Sequence, residues 1–386
     1  MPMKIALAHK TLDKRGGTEL DFYRTASGLR DLGHEVHLFC SEFAIDPPAG
    51  TYAHLIPIVP LGRTARLWSF AKIAPTIMRP YSCDVVVSFG RMICQDVLRS
   101  GGGSHRAFLQ KFGKEGGLRR RIWHHLSPYH QSLLALERRQ FQPGHYKRVL
   151  AVSEEVKREL LATYAIREDR ITVIHNGVDE KRFHFSLRDK FRTLIRKQWH
   201  IPLDAPTVLF VGSGFRRKGL DRLMKAWNSP QMKDAYLVVV GDDAQRSRYQ
   251  ALAAERANGK IIFVGRRDDV ESYYGAADLL ALPAVQEAFG NVVLEALATG
   301  LPTVVSQVVG ASEILKGKLA DGIVVHPEDP KELVDKLLAM LEGGRHPNFA
   351  LEARELAEAY SWSNHFSKLE IFLKETIEQN GCPSSS

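Results

Sequence analysis

The stretch Ala284-Val-Gln-Glu287-Ala288-Phe289-Gly290-Asn291-Val-Val-Leu-Glu295-Ala-Leu-Ala-Thr-Gly300-Leu-Pro302-Thr-Val-Val305 decides how this chain is read. Two carboxylates, Glu287 and Glu295, stand seven intervening residues apart. Between them Gly290-Asn291 is a turn, and Val292, Val293, Leu294, Ala296 and Leu297 then follow at helical spacing. Gly300 stops the helix, Pro302 cannot continue it, and Thr303-Val304-Val305 restarts as a buried strand. Glu287 therefore sits in a loop before the helix and Glu295 in its second turn. The amides of the first turn and the helix dipole face that loop, which is a place for a phosphate. At a rise of ~1.5 Å per residue the carboxylates lie on the order of 10 Å apart. That is the span from a hexose to a ribose across a diphosphate.

Working outward, strands alternate with glycine-rich loops and helices. Lys4–His9 is a strand, Gly16-Gly17 opens a helix from about Glu19 to Leu32, and Val36–Cys40 is the next strand. Asp84–Phe89 and Val149–Ser153 are further strands, the second ending in the helix cap Ser153. Because ligands in such sheets bind beyond the carboxyl ends of strands, Asp96 and His105, which follow Asp84–Phe89, are cleft candidates. Ile171–Asp179 reads as a last strand and turn, and the charged Arg182–His200 as a connector and hinge. The order then repeats with the strand Thr207–Gly212, Tyr236–Val240, Ile261–Gly265 and Leu279–Leu282, a second doubly wound domain. The loop after Gly212, Ser213-Gly-Phe-Arg-Arg217-Lys218-Gly219, places two cations at the mouth of a helix. Arg binds phosphate oxygens bidentately and Lys acts as a point charge.

Bulk properties fit two domains. The chain has 386 residues and a net charge of +9. No apolar run approaches the ~20 residues a spanning helix needs, and the amino terminus is expected to be a first strand and not a signal peptide. Four cysteines without metal-type spacing read as free thiols in a reducing cytoplasm. Ten Lys/Arg against Glu115 and Glu137 lie between His105 and Arg148, which carries most of the positive excess. Within it Arg119-Arg120-Arg121-Ile-Trp123 and Leu133–Phe141 interleave apolar residues with cations, the pattern of a helix lying on an anionic bilayer. The competing occupant, nucleic acid, is ranked lower because no nucleic-acid motif accompanies the charge.

The Glu287–Val305 stretch, Arg217-Lys218-Gly219, the paired Gly16-Gly17, Asn176-Gly-Val-Asp179 and Tyr360-Ser-Trp362 resemble retaining glycosyltransferase family 4. The resemblance implies an α/β GT-B fold: two Rossmann-like doubly wound domains facing each other across a cleft, with a C-terminal helix crossing back to the first. The expected domains are 1–185 for the acceptor, 186–360 for the nucleotide sugar, and 361–380 for the returning helix. It implies that Gly16, Gly17, Gly212, Arg217, Lys218, Arg266 and Glu287 with Ala288, Phe289, Gly290, Asn291 and Glu295 bind the donor. Arg217 and Lys218 would hold the diphosphate, Glu287 the hexose and Glu295 the ribose. Arg266 would lie near the base, and His105 with Asp96 near the reacting sugar. With no Asp-x-Asp, no metal and no cofactor are expected; the cations take the metal's place. The expected reaction moves a hexose, glucose first, from a UDP-sugar to a membrane glycolipid such as the heptose of a lipopolysaccharide inner core. Arg119, Arg120, Arg121 and Trp123 would meet the cytoplasmic face of the cell membrane. The alternatives are a GDP-mannose-dependent mannosyltransferase and, from another class, a nucleotide- or nucleic-acid-binding module.

Overall fold

The computed structural model describes residues 1–14, 16–115, 127–256, 260–344 and 346–378. The segment holding Arg119, Arg120, Arg121 and Trp123 lies outside the described residues, as does Cys382. Two compact units form: one joins Met1–His175 to the segment from Ser363 onward, the other is Asn176–Trp362. The contacts thus divide at His175/Asn176 and Trp362/Ser363, where the sequence reading put 185/186 and 360/361.

In the first unit the described strands are β1 (Lys4–Leu12), β2 (Glu35–Phe43), β3 (Tyr52–Leu55), β4 (Val85–Ser88), β5 (Val97–Ser100), β6 (Arg148–Ala151) and β7 (Ile171–Val173). They pair in parallel in the order β3-β2-β1-β4-β5-β6-β7. The helices are α1 (Gly17–Asp31), α2 (Gly62–Met78), α3 (His105–Glu115), α4 (Pro128–Gln140) and α5 (Glu154–Thr163). Ser153 caps α5 by accepting from the Val156 amide at 3.1 Å. Parallel strands covered on both faces read as near-continuous apolar runs, and Ile5–Ala8 and Val36–Cys40 are buried accordingly.

In the second unit come α6 (Ser186–Gln198), β8 (Thr207–Val211), α7 (Leu220–Ala226), β9 (Tyr236–Val240), α8 (Arg246–Arg256), β10 (Ile261–Gly265), α9 (Val270–Ala276), β11 (Leu279–Leu282), α10 (Asn291–Ala298), β12 (Thr303–Ser306) and β13 (Ile323–Val324). They are followed by α11 (Pro330–Gly343) and α12 (Pro347–Ala359). The sheet order is β10-β9-β8-β11-β12-β13, all parallel. The strand order reverses between β1 and β4 in one unit and between β8 and β11 in the other, so each unit has its topological switch point there. Helix α13 (Trp362–Glu378) belongs from Ser363 onward to the first unit, where Leu369, Phe372 and Leu373 enter one core cluster with Ile5, Leu7 and Phe22.

Three sequence readings are corrected. The charged stretch expected as a connector holds α6, whose Arg196 is fully buried and whose Leu187 and Ile195 face inward. Cations every four residues, Arg188, Arg192 and Arg196, converge on Asp278, so the charge is an anchor and not a solvated face. Leu133–Phe141, expected on a bilayer, is the end of α4, and Leu133, Leu136, Glu137 and Gln140 form its buried stripe. Part of the basic excess around it is spent internally: Lys147 pairs with Asp96, Arg148 with Glu375, and Lys111 with Glu155 and Glu159. Asp96 is the third correction. A parallel connection must carry the chain from the carboxyl end of β4 back to the amino end of β5, so the residue just before Val97 lies at the opposite end from the crevice. There Asp96 accepts the Val86 amide at 2.8 Å and pairs with Lys147.

Candidate active site

At the switch point of the second unit two loops meet: Gly212–Gly219 after β8 and Pro283–Gly290 after β11. The first is anchored by Phe215, fully buried edge-on against Phe210 and Tyr249, with its amide donating to Asp243 at 3.0 Å. Gly212 holds φ +138°, and a Cβ there would come within 2.5 Å of the Lys218 stem. The missing side chain is what lets Lys218 lie across the loop. The second loop is strapped in place: Gly310 donates to the Glu287 carbonyl at 3.0 Å and Ala311 to that of Phe289 at 2.7 Å. Phe289 is buried. Gly290, at φ +92°, turns the chain so that α10 starts at Asn291 beside the loop.

These constraints bring Arg217, Lys218 and Glu287 together. The Lys218 ammonium lies 2.9 Å and the Arg217 guanidinium 3.0 Å from the same Glu287 oxygen. Arg217 also donates to the Gln286 carbonyl at 3.1 Å. Burial would push the Glu287 carboxyl up, but Lys218 and then Arg217, by charge and hydrogen bond, outweigh it and hold it below the ordinary value. Two cations on one carboxylate leave a net positive charge, and the amino end of α10 adds to it. The oxygens of an anion would find in these two cations the partners that Glu287 now holds.

Glu295 is half-buried in the second turn of α10, and its carboxylate accepts from the Tyr274 hydroxyl at 2.7 Å. Burial, with the Glu295 charge second, raises the Tyr274 hydroxyl well above its ordinary value, so it stays a donor. Asn291 accepts from the buried Asn176 amide at 2.9 Å. Sequence reasoning missed both partners' roles. Tyr274 belongs to no motif that marks it in the sequence, and Asn176 reads only as part of a turn. Ala288 lies in the strapped loop. Arg266 is exposed just past the carboxyl end of β10, toward the sheet edge at the same end.

Gly16, Gly17 and His105 belong to the first unit. Gly16 caps α1 and Gly17 begins it, at the carboxyl end of β1. A cavity of about 590 Å³ opens at this end, lined among others by His9, Lys10, Glu19, Arg66, Arg99 and His105. His105 starts α3; its ring meets His130 at 3.0 Å and its amide donates to Glu137 at 2.9 Å. Glu137 is a buried hub that also accepts from Arg91 and Tyr164. Burial would push its carboxyl up, but Arg91 and the hydrogen bonds hold it below the ordinary value.

Residues 15–182 match the model of Glycosyltransferase Family 4, and residues 191–357 that of Glycosyl transferases group 1. The chain is a family 4 glycosyltransferase with the GT-B fold. It is 27% identical to the lipopolysaccharide glucosyltransferase WaaG of Escherichia coli over 348 residues, 86% of this chain and 90% of that one. The crystal structure of WaaG, a glycosyltransferase involved in lipopolysaccharide biosynthesis, superposes with a TM-score of 0.79 at 25% identity, covering 96% of this chain and 99% of that one. An uncharacterized glycosyltransferase of Methanocaldococcus jannaschii is 32% identical over 240 residues, 60% of this chain and 61% of that one, so the chain spans less than two thirds of that relative. Among the described residues no helix is long and apolar enough to cross a membrane.

Proposed function

We propose that the chain is a retaining hexosyltransferase that moves glucose from UDP-glucose to a glycolipid acceptor such as the heptose of a lipopolysaccharide inner core. The acceptor would be met at the cytoplasmic face of a cell membrane, with Arg119, Arg120, Arg121 and Trp123 as part of the contact. The observation that carries the reading is the pair Arg217 and Lys218 held on Glu287 at the switch point. The likeness to a lipopolysaccharide glucosyltransferase along 90% of that relative supports the choice of sugar and acceptor.

In this reading the donor diphosphate takes Glu287's place on the two cations and at the amino end of α10. Glu287, released, accepts the hexose hydroxyls, and Glu295 accepts the ribose hydroxyls with Tyr274 fixing its rotamer. The bond between the anomeric carbon and the phosphate oxygen breaks as the acceptor oxygen attacks the same face. The acceptor proton goes to the departing phosphate. Charge builds on that phosphate in the transition state, so the cations act as preorganised electrostatic catalysts without a metal. His105 would stand near the reacting hexose, and Arg266 near the base.

Calorimetric titration with UDP, GDP and ADP, without added metal, tests the reading. Selective UDP binding is expected. GDP selectivity would replace it with a mannosyltransferase, and no binding of any of the three would remove the donor assignment. In the same assay Glu295→Ala is expected to weaken UDP binding roughly tenfold to a hundredfold, the worth of a hydrogen bond to a charged group. Tyr274→Phe should weaken it by less, because the carboxylate survives and only its orientation is loosened. Unchanged UDP affinity in Glu295→Ala would take the residue out of the ribose site.

A further inference from the structure

The segment that follows edge strand β3 has a composition the donor chemistry does not use. From Pro47 to Cys83 there is no Asp or Glu, while Arg63, Arg66, Lys72 and Arg79 all occur. Leu55, Val59 and Leu61 are exposed by 65%, 41% and 77%, three of the large apolar side chains left to solvent in this chain. They are held out by the residues between them. Ile56 is buried and Ile58 half-buried against a core cluster that includes Phe70, Ala74 and Met78. That alternation faces Leu55 and Val59 outward. The loop is also tied down: the Ile56 amide donates to Cys40, the Val59 amide to the Ser69 hydroxyl at 3.1 Å, and the Gly62 amide to Pro60. Pro57 and Pro60 fix the backbone further. These ties hold the backbone with the apolar tips exposed.

Cations follow these tips in the chain. Arg63 and Arg66 are exposed in the first two turns of α2, and Arg63 lies over the Tyr129 ring at 4.1 Å. Arg66, Leu67 and Phe70 of the same helix, with Tyr129, line the 590 Å³ cavity of the first unit. The apolar and basic edge is therefore continuous with the rim of that cavity.

We propose that Leu55–Arg66 is a bilayer-docking edge that inserts Val59 and Leu61 between anionic phospholipid headgroups, with Arg63 and Arg66 binding the phosphates. Rigid aliphatic tips backed by cations match an interface that is apolar below and anionic at its surface. A second copy of the same positive edge would be repelled, and branched aliphatic tips offer a nucleic acid nothing to stack on. The inference rests on the glycolipid reading above in one respect: it explains how a lipid-borne acceptor would reach a cavity whose rim is itself at the membrane. It adds to the Arg119–Arg121 segment a second contact that is independent of it in sequence.

Flotation of the full-length chain with phosphatidylcholine vesicles, with and without phosphatidylglycerol, tests it. The wild-type chain should float with phosphatidylglycerol vesicles, and partition into them should fall roughly tenfold or more in the double variant Val59→Asp/Leu61→Asp. Leu351→Asp, at a leucine of the second unit whose exposure of 56% lies between those of Val59 and Leu61, should float as wild type. The thermal melt and far-ultraviolet circular dichroism of the double variant should match wild type, which shows that the first unit is folded. Equal flotation of wild type and the double variant overturns the proposal, as does wild-type partition that is indifferent to phosphatidylglycerol. If Arg119→Ala/Arg120→Ala/Arg121→Ala alone abolishes flotation while the double variant floats normally, the membrane contact belongs to the other segment and this edge has no part in it. Failure of UDP to bind would strike the donor reading and leave the flotation result standing.

Discussion

Lys218→Ala is expected to lower turnover by roughly 10²–10³-fold, the effect of removing one preorganised donor aimed at developing charge. The ammonium is held in place before any donor arrives. Its stem crosses Gly212, its head is 2.9 Å from Glu287, and its side chain is only 11% exposed. It therefore loses little freedom when a diphosphate replaces the carboxylate, and the interaction is weakly screened by salt. Arg217 shares the carboxylate oxygen but is 35% exposed, so Arg217→Ala should cost less in rate. The fold should tolerate the loss of Lys218, since Glu287 keeps Arg217 and the strap from Gly310. Turnover of UDP-glucose with the acceptor, measured beside a thermal melt, checks both halves. Near-normal turnover with a normal melt would take Lys218 off the diphosphate.

The parts of this site that were legible in the sequence are the ones written in local order. The glycine turn, the apolar helix and the stop at Gly300-Leu-Pro302 lie within one stretch, so the placing of Glu287 before a helix and Glu295 inside it could be read directly. Ser153 as a cap, and the strands β1, β2, β8 and β9, follow from period and from turn chemistry in the same way. What escaped depends on partners distant in sequence. Strand β3 is four residues long with three of its side chains exposed, so it has no apolar run to announce it; it exists because β2 offers it an edge. Helix α2 leaves no clear period in the sequence, because Pro75 interrupts its pattern and its start follows a loop rich in proline. Asp96 follows a strand's carboxyl end in sequence, while the direction of the crossover carries it to the other end of the sheet. The Tyr274 to Glu295 bond joins two helices through a hydroxyl whose partner is 21 residues away. Helix α6 looked like a linker because three of its arginines read as solvent-seeking. The one carboxylate they share, Asp278, lies some 80 to 90 residues downstream.

That carboxylate sets the other large expectation. Asp278→Ala should destabilise the second unit by roughly 3–5 kcal/mol, the cost of breaking a buried pair by removing one partner. Arg196 is fully buried and donates to the carbonyls of Ala276, Pro202, Leu203 and Ala205 as well as to Asp278 at 2.7 Å. Those carbonyls satisfy its protons but not its charge, so without Asp278 the guanidinium is left buried and uncompensated. Arg192, at 2.7 Å, loses its carboxylate too, and the Thr207 amide loses its acceptor at 3.0 Å, which loosens the start of β8. Burial would push the Asp278 carboxyl up, but Arg196 and then Arg192 outweigh it and hold it below the ordinary value. A depressed folded value means the stabilisation is fully present above the unfolded value of about 3.9 and is lost as pH falls through the folded one. The wild-type second unit should therefore show an acid-unfolding step below about pH 4 to which Asp278 contributes, and Asp278→Ala should be less stable at neutral pH with a shallower dependence there. Urea unfolding across that range checks the sign; equal stability of the variant at pH 7 would mean the arginines find other partners. The cluster sits at the amino ends of β8 and β11, whereas Arg217, Lys218 and Glu287 sit at their carboxyl ends. UDP affinity of the folded variant should consequently be unchanged, which separates a loss of anchoring from a loss of the donor site.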